Sequence, residues 1–87
     1  MAKLIVTVGS VTTATRLGKL LNKLKGIKCA VVHTPASINN GGCSYSLVTE
    51  ASNISYIKEI AREYKLELRK FYIEETSEGV KSYHAVS

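Results

Sequence analysis

The chain has 87 residues, of which 45% are hydrophobic and none is tryptophan, and it carries a formal net charge of +5. A chain of this size buries one core and not two, so a single domain over residues 1–87 is expected. No stretch approaches the roughly 20 apolar residues of a membrane-spanning helix, and Met1 to Val8 is too brief for a secretory signal and lacks a small-residue cleavage site. The expected compartment is therefore the cytoplasm, where Cys29 and Cys43 would be free thiols.

All seven acids fall between Glu50 and Glu78, whereas residues 1–49 hold Lys3, Arg16, Lys19, Lys23, Lys25 and Lys28 with no acid. That half either attracts anionic ligands, nucleic acid or acidic partner surfaces, or presents a solvated basic face that serves solubility.

Along the chain, strand and helix patterns alternate. Leu4-Ile5-Val6-Thr7-Val8 is a β-branched run ending at Gly9, as in a strand buried on both faces. From Ser10 the period changes. Ala14, Leu17, Leu20, Leu21 and Leu24 recur at threes and fours on one helical face, with Arg16, Lys19 and Lys23 outward. Ser10 or Thr12 caps the first turn and Gly26 supplies a left-handed stop. Ile27 to His33 reads as a strand with Cys29 and Val31 on one face and Ala30 and Val32 on the other.

The loop Thr34-Pro35-Ala36-Ser37-Ile38-Asn39-Asn40-Gly41-Gly42 leads to Cys43 and a strand at Tyr45 to Thr49. A second helix opens near Ser52 or Asn53, with Ile54, Ile57, Ile60, Ala61 and Tyr64 on one face. Leu66 to Glu75 returns as a strand, Thr76-Ser77-Glu78-Gly79 is a turn, and Val80 to Val86 pairs back as an edge strand. This order predicts an α+β fold: the ferredoxin-like βαββαβ sandwich, both helices on one face of an antiparallel sheet, with an additional C-terminal edge strand. In that topology the loop after the first strand and the loop between the second and third strands share one end of the sheet. Gly9 to Thr12 would then neighbour Gly41, Gly42 and Cys43.

Cys43 is the residue placed for chemistry. A thiol reacts as thiolate, and its pKa falls near a helix N-terminus or a cation. Backbone N–H groups around Ser10 and Thr12 favour an anionic sulfur. Gly41 and Gly42 let the backbone turn sharply and offer N–H groups to an anion. His33 ends one strand and Cys43 precedes the next, so the imidazole is a candidate thiolate partner. Cys29, between Lys28 and Ala30, reads as a core thiol.

Val31-Val32-His33-Thr34-Pro35, then Ser37-Ile38, then Gly42-Cys43 with a Leu-bearing strand and an amphipathic helix, resembles a family of small proteins labelled selenium- or sulfur-carrier-like. The resemblance covers about residues 4–73. Its recurring threonine-proline pair and glycine-cysteine turn fall on Thr34, Pro35, Gly42 and Cys43, while Ala36 and Ser44 stand where the family commonly has a basic residue and a glycine. What it implies is a non-enzymatic carrier that holds sulfur or selenium on Cys43 and exchanges it with donor and acceptor proteins.

Competing readings are set by what is missing. Cys29, His33, Cys43 and His84 lack the spacing of a structural metal site, and the glycine-rich nucleotide motifs are absent, so neither metal nor cofactor is expected. RNA-recognition domains share the element order, but the two central strands offer only Tyr45 for base stacking. Sequence-specific nucleic-acid binding is therefore not expected. A thiol-independent small-molecule-binding or protein-interaction module is the alternative, and a homodimer through the open sheet face suits either reading.

Overall fold

The computed structural model describes residues 2–38 and 45–86. Five strands, β1 (Lys3–Val8), β2 (Ala30–His33), β3 (Tyr45–Glu50), β4 (Leu68–Ser77) and β5 (Val80–Val86), form an antiparallel sheet in the order β2-β3-β1-β4-β5. Two helices, α1 (Val11–Lys25) and α2 (Ile54–Glu63), follow β1 and β3 respectively.

The sheet's two faces differ because residues alternate along each strand. Leu4, Val6 and Val8 of β1 turn toward the helices and join Ala14, Leu17, Leu21, Leu47, Ile57 and Ile60 in the main core. Ile5 turns the other way and meets Ile38 and Tyr72. β1 is consequently buried on both faces from Leu4 onward, as its unbroken apolar run predicts.

Helix boundaries follow from their caps. Ser10 accepts a hydrogen bond from the Thr13 N–H at 3.2 Å, and Gly26 closes α1 in the left-handed region at φ 67°. Gly26 and Ile27 donate back to Asn22 and Leu21. Ile27 is thus still tied to the helix, and the strand read from it begins only at Ala30. Leu24 also departs from expectation: it is 45% exposed, on the rim of the apolar stripe.

α2 is preceded by a 3-10 turn at Ala51–Asn53 and ends without a glycine. Lys65 takes the left-handed conformation at φ 56°, and Leu66 donates to Ala61. That cap delays β4 to Leu68, two residues past the start its apolar pattern suggests. The β4–β5 turn holds Glu78 and Gly79 at φ 52° and 78°, two successive positive values as in a type I′ hairpin. β5 pairs along the edge of β4 and does not cross the sheet.

Between Val6 and Val8 the β1–β4 register slips, so Arg69 and Lys70 both stand opposite Thr7. The Thr7 hydroxyl accepts from the Lys70 N–H at 2.9 Å and lies 3.3 Å from the Lys70 carbonyl, to which it donates. One side chain thereby stands in for the ladder partner that the bulge removes.

Candidate functional site

Val8 pairs with Tyr45 and Leu68, and His33 pairs with Tyr45. The ends of β1 and β2 and the starts of β3 and β4 therefore gather at one end of the sheet, where α1 also begins. Ser10 is there as the α1 cap, its Oγ 3.1 Å from the Thr13 hydroxyl. Thr12 faces elsewhere: it lines a surface depression on α1 with Val11 and Arg16 and does not border the cleft that holds Ser10.

That cleft, about 260 Å³, is lined by Gly9, Ser10, Thr13, Glu67 and Arg69. Arg69 belongs to the bulge, and its guanidinium lies against the Gly9 backbone. A Cβ built on Gly9 would stand 3.0 Å from Nη2 of Arg69, so any larger residue there would press on the guanidinium. A cationic side chain, hydroxyls and the opening turn of a helix favour an anion, and Glu67 tempers the charge. Arg69 was not legible as a site residue, because nothing in Leu68-Arg69-Lys70 marks the bulge that brings it to Gly9.

The loop after β2 is anchored on the uncovered sheet face. The Thr34 and Ser46 hydroxyls are 2.8 Å apart in a buried hydrogen bond, and the Ile38 N–H donates to the Pro35 carbonyl at 3.1 Å, closing the Ala36–Ile38 turn. Ile38 is buried against Ile5 and Tyr72. Thr34 and Pro35 thus hold the first half of the loop. Gly41, Gly42 and Cys43 lie outside the described residues.

His33 is exposed, with its ring 4.9 Å from that of Tyr45 and tilted by 31°. Cys29 is half-buried and packs against the main core, its Sγ 3.9 Å from the Ile27 carbonyl. Burial pushes this thiol up from its ordinary pKa, and a hydrogen bond with Thr49 offsets part of the rise. At neutral pH it stays protonated and a poor nucleophile.

On the face away from the helices, β1 presents Lys3, Ile5 and Thr7 and β3 presents Ser46, Val48 and Glu50. The aromatics of that face, Tyr72 and Tyr83, belong to β4 and β5. Among the described residues, no group of three or more histidine, cysteine or acidic side chains is placed to hold a metal ion, and no helix is long and apolar enough to cross a membrane.

Comparison with curated proteins gives no match, and comparison with solved structures gives none. A family model described as "Putative Se/S carrier protein-like" matches residues 3–73, and the chain belongs to that family.

Proposed function

From that membership we propose that the protein is a non-enzymatic carrier that holds sulfur or selenium on Cys43 and passes it between donor and acceptor proteins in a reducing cytoplasm. The observation that carries the reading is the extent of the family match, residues 3–73, which takes in the whole loop from Thr34 to Cys43. The strand order β2-β3-β1-β4 supports a ferredoxin-like sandwich extended by β5, since two interleaved right-handed βαβ units produce that order.

In the proposed exchange the Cys43 thiolate attacks the outer sulfur of a donor persulfide. The donor's S–S bond breaks, the donor leaves as thiolate, and Cys43 becomes the persulfide. An acceptor thiolate then repeats the step on Cys43, with no net oxidation. Selenium follows the same electron count. His33 takes the thiol proton, Gly41 and Gly42 shape the turn, and Thr34 and Pro35 hold the loop. Ser10 and the Arg69 guanidinium favour the anionic sulfur from the start of α1, where Thr12, turned away from the Ser10 cleft, takes no part.

Intact mass after exposure to a persulfide donor, or for selenium to a donor bearing R–S–SeH, tests this: a gain of one chalcogen atom, lost in Cys43→Ser, is expected. A gain that persists in Cys43→Ser, or none at all, overturns it. Alkylation of Cys43 should also be faster near neutrality than that of a free thiol, and an equal rate would count against an activated carrier.

A homodimer through the face opposite the helices is part of the same proposal. Ile38 already covers Ile5 and Tyr72, so the dimer would rest on what stays open there, Val32 above all. Light scattering at micromolar concentration checks it, and a mass of 9.5 kDa would refute it.

A further inference from the structure

A depression of about 650 Å³ runs between α1 and β2. Lys19, Asn22 and Lys23 line it from the helix, and Lys28, Cys29 and Val31 from the strand side. No acid borders it. Among the described residues β2 is an edge strand, bonded to β3 alone, and all four of its residues are exposed. Its free edge therefore lies along a channel whose charged side chains are all cationic.

We infer that this edge is a docking site for an extended acidic segment of a partner protein, added to the sheet as a sixth strand beside β2. Main-chain hydrogen bonds along β2 supply the affinity, and alternate side chains the specificity. Val31 pairs with Leu47 on the helix side, whereas Ala30 and Val32 lie on the opposite face. Every second side chain of an incoming strand thus drops toward Lys19, Lys23 and Lys28 and is best carboxylate. Those between lie beside Ala30 and Val32 and are best small and apolar. The recognised pattern is an alternation of acidic and aliphatic residues.

Charge decides against the other occupant of a free edge, a second copy of the chain. Two β2 strands paired about a two-fold axis would bring both sets of three lysines together, a like-charge contact that disfavours closure. The inference stands on the groove and does not depend on Cys43. A docked strand would run alongside His33, at the sheet end where β3 begins.

The test titrates the whole chain at low salt with a short acetylated peptide of alternating Glu and Val, followed by amide NMR. Shifts at Ala30 to His33 and along Lys19 to Lys23 are expected, and N-methylation of alternate peptide amides should abolish them. Lys19→Glu with Lys23→Glu, both exposed on α1, should weaken binding by about tenfold or more. The milder Lys19→Gln with Lys23→Gln pair serves if charge reversal disturbs the fold. Equal binding by the N-methylated peptide, or by one with its glutamates consecutive, would overturn the proposal. So would shifts away from β2, or an oligonucleotide that occupies the groove where the peptide does not.

Discussion

The two faces of the sheet are built by different means. On one, α1 and α2 bury Leu4, Val6, Val8, Leu17, Leu21, Leu47, Ile57 and Ile60 almost completely. On the other, one residue of a loop, Ile38, covers Ile5 and Tyr72, and the buried Thr34–Ser46 hydrogen bond fixes the loop beside them. The first face is a core made by periodic secondary structure. The second is a small cluster of Ile5, Ile38 and Tyr72 that ties the Ala36–Ile38 turn to the sheet.

If this division is right, the largest loss of stability comes from the helix side. Leu47→Ala should cost about 3–5 kcal/mol in denaturant unfolding, because it removes a fully buried side chain among close neighbours. Ile38→Ala should cost about 2 kcal/mol, the low end of such deletions, since the loop can settle into the space. An equal cost would break the comparison. If the loop serves the thiol, Ile38→Ala should also change the alkylation rate of Cys43 while Leu47→Ala, assayed where it is folded, does not.

Thr7→Val keeps the shape and removes the hydroxyl that serves Lys70. Leaving that N–H unpaired should cost about 1–3 kcal/mol, and amide exchange at Lys70 should quicken. Ser46→Ala, which orphans the buried Thr34 hydroxyl, should cost about 1–2 kcal/mol and loosen the loop without moving the helices. A thermal melt with exchange measurements distinguishes this from a general loss.

The smallest effect is a pH dependence on the helix side. Cys29 has its pKa raised by burial, so the folded state holds its proton more tightly than the unfolded chain does. That contribution is fully present below the ordinary thiol pKa and is lost as pH rises through the raised folded value. Unfolding free energy should therefore fall slightly in alkaline solution, and Cys29→Ala should flatten that slope.

The same contrast governs what could be read from sequence. The helix-side core was legible, because Ala14, Leu17, Leu21, Ile57 and Ile60 carry the helical period and Leu4 to Val8 an unbroken apolar run. Gly26 announces the end of α1 and Lys65 performs the same turn for α2 without a glycine, and in both cases the residues tied back to the helix cap, Ile27 and Leu66, delay the strand that the apolar pattern suggests. Ile38 gave no periodic signal, standing alone in a polar loop, and the bulge at Arg69 and Lys70 depends on register across the sheet, which neighbouring residues do not encode. Of the candidate site, the cap at Ser10 was foreseeable from residue type, whereas the partner of Thr34, Ser46 across the sheet, was not. Nor was the Arg69–Gly9 contact.

The central position of β1 sets the order in which the molecule is assembled. Lys3 pairs with Glu50 on one side and Glu74 on the other, so the earliest of the five strands has both its neighbours only after residue 68 has been reached. The β4–β5 hairpin needs no such wait, since its strands are joined by a two-residue turn. Long-range closures of this kind slow folding relative to local pairings. During synthesis the apolar run Leu4 to Val8 can pair with β3 on one edge but keeps its other edge open until β4 has emerged.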